Sequence, residues 1–240
     1  MARGGLTTPH FSRLCRRPLA APAVSLVISL VALVLLAVWA TRGPGPAEGI
    51  DLDVHRWLLR HRSPALVGVA AVVTRFGSAI VVVPLVFLGV LAVSPGDARR
   101  RLARAAATLS FLAAGLLLRL AVSQLVARAR PPARDWAAAA AGYAFPSGHT
   151  TGAALAAALL AWTTTQRLQG QPLARALVWA VAACAAIAVG LTRVYLGMHW
   201  PSDVLGSWLL CAAVLSGGLV LLRLRRTAGV ATGGRLGRHD

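Results

Sequence analysis

The sequence contains no lysine, and only seven acidic residues among 240 stand against 25 basic ones, all of them arginine. Carboxylates this sparse exclude a two-metal carboxylate cluster, because Glu48, Asp51, Asp53, Asp135 and Asp203 do not share the spacing that such a site needs. Cysteine is equally scarce. Cys15, Cys184 and Cys211 are scattered, the last two inside apolar runs, which excludes a disulfide framework or metal-ligand spacing and leaves them as packing residues. Polar sequence is too thin to cover a soluble domain of this length. With 57% hydrophobic residues, the chain reads instead as an all-α, polytopic membrane protein. A net charge of +18 would suit a nucleic-acid binder. The arginines, however, fall in short segments between apolar runs, so nucleic acid is set aside and the membrane is the expected partner.

Six transmembrane helices are predicted, at residues 20–40, 78–93, 105–126, 147–162, 173–189 and 203–222, forming a bundle within residues 20–222. Residues 1–19 form a basic leader and residues 223–240 a basic tail expected to be disordered. Arg13, Arg16 and Arg17 precede the first apolar run as in a signal peptide. At about 20 residues that run is long for such a peptide, and Trp39-Ala-Thr-Arg-Gly-Pro is a poor cleavage site, so the span is read as retained, ending at the breaker Gly43-Pro-Gly-Pro. Residues 50–61 place Ile50, Val54, Trp57 and Leu58 at helical spacing, with Asp51, Asp53, Arg56 and Arg60 on the remaining surface. This pattern predicts a short helix lying on the membrane, with His55 and His61 as interfacial residues. The apolar stretch 64–93 would run roughly 45 Å as one helix, against a bilayer core of about 30 Å, so a break is placed near Arg75-Phe-Gly-Ser, with the first half partly interfacial.

Six crossings put both termini, the 2–3 loop and the 4–5 loop on one side, which carries fifteen arginines against nine on the other. The positive-inside rule then makes the termini cytoplasmic. Four polar motifs meet on the outer side, at the ends of spans 3 to 6: Arg128-Ala-Arg130-Pro-Pro, Pro146-Ser147-Gly148-His149, Arg193, and His199-Trp-Pro-Ser-Asp203. In the stretch Y-A-F-P-S-G-H-T at residues 143–150, Pro146 suits a helix entrance, Ser147 offers a capping oxygen, and Gly148 lets an anion approach the exposed backbone N–H groups. Arg130 and Arg193 provide planar forks for phosphate oxygens. His199 and Asp203, four apart, allow the carboxylate to take the Nδ1–H and leave Nε2 free to attack, with His149 placed to protonate a leaving oxygen. The chemistry these groups suit is phosphoryl transfer without a metal.

These motifs resemble the signature of the type 2 phosphatidic acid phosphatase family, integral membrane lipid phosphatases that share their site with vanadium haloperoxidases. The family pattern is Lys-x6-Arg-Pro, then Pro-Ser-Gly-His, then Ser-Arg-x5-His-x3-Asp. Here the second part is intact at Pro146–His149, and the third matches at Arg193, His199 and Asp203, with Thr192 in place of Ser. The first departs: Arg130-Pro131 fits, but Ser123 stands where the family has Lys. Arg119, one helical turn earlier, and Arg128 are the two candidates to replace that charge, and an arginine inside span 3 is costly enough to favour Arg119.

The resemblance implies His199 as the nucleophile that forms a phosphohistidine, Asp203 as its orienting carboxylate, and His149 as the acid and later base. Arg130, Arg193, Ser147 and Gly148 would hold the phosphate, and no cofactor is called for. The expected substrate is a lipid phosphate at an outward-facing site in a cell membrane. Undecaprenyl diphosphate is favoured over phosphatidic acid or phosphatidylglycerol phosphate, because an outward site suits recycling of an exported carrier. The competing expectation, prompted by Ser123, is a catalytically weak lipid-phosphate binder or scaffold. A transporter finds no support in internal repeats or paired broken helices.

Overall fold

A computed structural model describes the backbone at residues 19–42 and 46–236 and the side chains at 19–42 and 49–227. The leader arginines 13, 16 and 17, Cys15, breaker residues 43–45 and the last four residues lie outside this range. Among the described residues every regular element is helical. The helices are α1 (Ala20–Thr41), α2 (Pro46–Arg60), α3 (Pro64–Val73), α4 (Ala79–Val93), α5 (Ala98–Val126), α6 (Gly148–Thr165), α7 (Pro172–Tyr195) and α8 (Pro201–Leu236), with 3₁₀ turns at Thr74–Gly77 and Ala133–Asp135.

Four helices, α1, α5, α7 and α8, are long and apolar enough to cross a membrane. The pair on either side of the first 3₁₀ turn, bent by 56°, makes a fifth span if counted as one. The break falls where the sequence places it. Ser63 caps α3 by accepting the Leu66 N–H, and the chain leaves helical geometry at Thr74–Gly77 before α4 begins. The expected fourth span, α6, is not apolar enough to count on composition, and its surroundings give the reason. Thr150, Thr151, Gly152, Ala153, Leu155, Ala156, Ala161 and Thr165 are all buried, and α4, α5, α7 and α8 pack around it. A helix wrapped by protein does not need the hydropathy of one that faces lipid.

Several boundaries differ from the sequence reading. Asp97 caps α5 by accepting the Arg100 N–H at 2.9 Å, so the basic cluster of Arg99, Arg100, Arg101 and Arg104 lies inside the helix and not before it. α7 continues past Val189 to Tyr195 and carries Arg193 in its last turn. α8 continues past Leu222 to Leu236, so backbone helix extends well into the segment expected as a tail.

The larger correction concerns α2. The helix is present, and Ile50, Val54 and Trp57 are exposed as a stripe turned to lipid would be, but Asp51 and His55, expected on the remaining surface and at the interface, are buried. His55 is therefore an interior residue: its Nε2 lies 3.1 Å from Asp135 Oδ2 and its ring 5.3 Å from that of Trp200. A helix on a membrane protein can turn its apolar stripe to lipid and its polar stripe to the protein, which inverts the soluble rule.

Candidate active site

The ends of α5, α6, α7 and α8 and their connections meet at one end of the bundle. Arg130 reaches the α7–α8 connection, and the Ser147 N–H reaches the Asp203 carbonyl at 3.4 Å. His199 sits in that connection, fully buried, with Gly197 in the left-handed region (φ +77°) providing the turn. Asp203 lies in the first turn of α8. Its Oδ2 accepts the Trp200 N–H at 2.8 Å and faces His199 Nδ1 at 3.3 Å.

Arg130 NH1 lies 2.9 Å from His199 Nε2. A guanidinium can only donate, so Nε2 carries the lone pair and the proton sits on Nδ1 toward Asp203. Burial pushes the imidazole pKa down to about 4, the Asp203 hydrogen bond opposing that shift and Arg130 and Arg193 adding to it. His199 is thus neutral near pH 7, with the Nε2 electron pair held toward Arg130.

The three arginines reach the site by different routes. Arg130 is fixed by the Met198, Gly142 and Ala141 carbonyls at 2.9, 2.8 and 2.8 Å. Arg193, 4% exposed, donates to Thr74 Oγ1 at 2.9 Å and leaves its buried Nε without a partner among the described residues. Arg119 donates from Nε to the Pro146 carbonyl at 2.8 Å, and its guanidinium covers Gly148, where an added Cβ would lie 3.3 Å from Cζ. Ser147 is fully buried and caps α6 through a long 3.5 Å contact from the Thr150 N–H. His149 lies within electrostatic reach of Arg193, His199, Arg130 and Arg119, and its ring makes no hydrogen bond among the described residues.

Eight of the nine residues singled out from sequence therefore converge: His199, His149, Asp203, Arg130, Arg193, Ser147, Gly148 and Arg119. Arg128 is placed differently. Its guanidinium turns to Asp51 (2.7 Å), Asp203 (2.6 Å) and Ser202 (2.6 Å), behind the imidazole and not in front of it. Thr74, Asp51 and Ser202 are site neighbours that sequence reasoning missed. The break at residues 74–77 was a signal for the first. Asp51, one of three acids on a helix of mixed polarity, and Ser202, next to Asp203, carried weaker signals.

Packing of the 3₁₀ turn against α6 is close. A Cβ on Gly77 would come within 2.5 Å of the His149 carbonyl oxygen, so only glycine lets that turn sit under the first turn of α6 and bring Thr74 to Arg193. Among the described residues, no group of three or more His, Cys, Asp and Glu gathers as metal ligands would.

Fold and site together define an all-α membrane protein that collects imidazoles, a carboxylate and several arginines at one end of its bundle. The chain belongs to the PAP2 superfamily, whose sequence model matches residues 104–226, just over half of it. Phosphatidylglycerophosphatase B of Bacillus subtilis (strain 168) is 36% identical over 66 residues, 28% of this chain and 32% of that protein. Undecaprenyl-diphosphatase of Sulfolobus acidocaldarius is 34% identical over 68 residues, 28% of each chain. The matched stretch thus spans about a third or less of these relatives. The crystal structure of a transmembrane PAP2-type phosphatidylglycerolphosphate phosphatase from Bacillus subtilis shares the fold. It aligns with a TM-score of 0.72 at 24% identity, over 81% of this chain and 95% of that one.

Proposed function

We propose that this protein is a lipid phosphatase that works through a phosphohistidine at His199, without a metal, at an outward-facing site in a six-span bundle. The observation that carries the reading is the state of His199. Asp203 takes the Nδ1 side, and the lone pair on Nε2 is turned to the Arg130 guanidinium, with Arg193 close enough to act on the ring electrostatically.

In this reading the phosphate sits among Arg119, Arg130, Arg193 and the Ser147–Gly148 start of α6, whose N–H groups and dipole favour an anion. His199 Nε2 donates its electron pair to phosphorus, and the P–O bond to the lipid breaks with its pair left on oxygen. His149, protonated beside the bound anion, gives that oxygen its proton. Asp203 balances the positive charge that develops on the His199 ring, and the arginines balance charge on the transferring oxygens. His149, now neutral, takes a proton from water as its oxygen attacks phosphorus; the P–N bond breaks and the pair returns to Nε2. A monoester yields the lipid alcohol and phosphate, and a diphosphate yields the lipid monophosphate and phosphate.

For the substrate, the outward site favours undecaprenyl diphosphate. The two curated relatives carry names pointing to phosphatidylglycerol phosphate and to undecaprenyl diphosphate, so both belong in the assay with phosphatidic acid. Purified protein with excess chelator is expected to release phosphate from at least one of the three, fastest from the diphosphate. Strict metal dependence would overturn the mechanism. Brief reaction with ³²P-labelled substrate is expected to leave acid-labile label on the wild type and none on His199→Ala; label persisting in the variant would remove His199 from its role.

A further inference from the structure

We propose that Asp51 and Arg128 form a positioning pair that acts through Asp203 on His199, fixing the direction of the imidazole and setting its basicity. The proposal rests on the reading of His199 as the nucleophile.

The connectivity is continuous. Asp203 Oδ2 serves His199 and the Trp200 N–H, and Oδ1 accepts from Arg128 NH1 at 2.6 Å. Arg128 NH2 donates to Asp51 Oδ2 at 2.7 Å. Asp51 also holds the first turn of α8 directly, accepting the Ser202 N–H through Oδ1 at 3.0 Å and the Ser202 hydroxyl through Oδ2. One carboxylate from α2 therefore grips both the arginine behind Asp203 and the turn that carries Asp203.

Charge gives the pair a second effect. Asp51 and Asp203 are 2% and 0% exposed, and the Arg128 side chain is 10% exposed, so these charges interact with little solvent screening. A buried run of three charges is costly to desolvate and adds little stability over apolar packing, so stability alone does not explain it. The groups facing His199 are Asp203 from α8, Arg130 from the segment after α5, Arg193 from α7 and His149 from α6. Arg128 draws on the charge of Asp203, the anion among them, and Asp51 offsets Arg128. Without Asp51, the carboxylate serves the arginine at the expense of the imidazole. Without Arg128, it serves the imidazole alone.

The two single substitutions therefore have opposite signs. In Asp51→Asn the His199 ring becomes less basic. The acidic limb of kcat/KM, measured on one substrate for all variants, moves to lower pH, and kcat falls roughly 10- to 100-fold with little change in KM. In Arg128→Gln the ring becomes more basic and the limb moves to higher pH. The double variant Asp51→Asn/Arg128→Gln keeps hydrogen-bonding shape with no net charge change, and its limb returns toward wild type. Titration of the ¹⁵N-labelled His199 ring by NMR in detergent reads the same displacements without turnover. Opposite displacements with recovery in the double variant support the pair. Displacements in one direction, or none alongside a common loss of thermal stability, would reduce it to a fold contact and overturn the proposal. Failure of the wild type to hydrolyse any lipid phosphate would instead overturn the reading of the site, and the NMR result would still stand.

Discussion

Ser123 occupies the position where the family pattern has lysine, and it is buried with 2% exposure, unable to supply a charge. Of the two replacements considered, Arg119 has its guanidinium against Gly148, while Arg128 faces Asp51 and Asp203. The two arginines should accordingly fail in different ways. Arg119→Leu is expected to weaken inhibition by vanadate and lower kcat/KM about 100-fold. Arg128→Ala should leave vanadate affinity within a few fold and act mainly on kcat. Unchanged anion affinity in Arg119→Leu, with its loss in Arg128→Ala, would reverse the assignment. The buried neutral His199 also makes stability depend on pH. Its folded pKa lies near 4, below the ordinary histidine value of about 6.5. Between these values the unfolded chain binds a proton that the folded protein does not. Stability therefore falls as pH drops through 6.5 and levels off near 4, a contribution of order 3 kcal/mol. Thermal unfolding in detergent should show a lower midpoint at pH 5 than at pH 7, with a smaller difference in His199→Gln.

At the scale of elements, the bent pair α3–α4 matters through what its break delivers. The 3₁₀ turn brings Thr74 to Arg193 and places Gly77 beneath His149. Gly77→Ala would force the first turn of α6 outward or unseat Thr74, at a cost of about 1–3 kcal/mol and with a marked drop in kcat. Thr74→Val, nearly the same shape without the hydroxyl, should lower activity with a smaller loss of stability. Equal stability losses with turnover intact in both would show that the break only packs. The sequence made the local parts of this site legible: Pro146-Ser-Gly-His specifies a capped helix start, and the four-residue step from His199 to Asp203 lets a carboxylate in the first turn of α8 reach back to the imidazole. Contacts from distant segments were not legible. Asp51 and His55 were assigned to the surface and the interface because a helix lying on a membrane ordinarily turns its polar residues to water. Periodicity marks the apolar stripe but does not say whether water or protein covers the opposite face.

At the scale of the whole molecule, the arrangement accounts for four of the nine arginines that the positive-inside rule left on the sparser side. Arg62 donates to the Asp135 carbonyl, Arg128 pairs with Asp51 and Asp203, and Arg130 and Arg193 stand beside His199. These four are held by the protein at the site end, so in the proposed orientation they need not count toward a cytoplasmic face, whereas Arg99, Arg225 and Arg226 are exposed on segments assigned to that face. Arg101, Arg104 and Arg167 on the other side are likewise held by carbonyls, and leaving out the held arginines on both sides keeps the excess on the side proposed as cytoplasmic. Five spans counted on composition would put the termini on opposite sides. Counting α6 as a crossing restores six, and its 18 residues extend about 27 Å, close to the bilayer core. The two counts are separable by labelling. With Cys15, Cys184 and Cys211 replaced by serine, a membrane-impermeant maleimide applied to intact cells should label Ala139→Cys in the loop before α6. It should label Leu224→Cys near the end of the apolar part of α8 only after the membrane is opened. A cysteine placed at Gln169, between α6 and α7, should behave like the one at Leu224. Labelling at Gln169 in intact cells would mean that α6 does not cross, and labelling at Leu224 but not at Ala139 would turn the site to the cytoplasm.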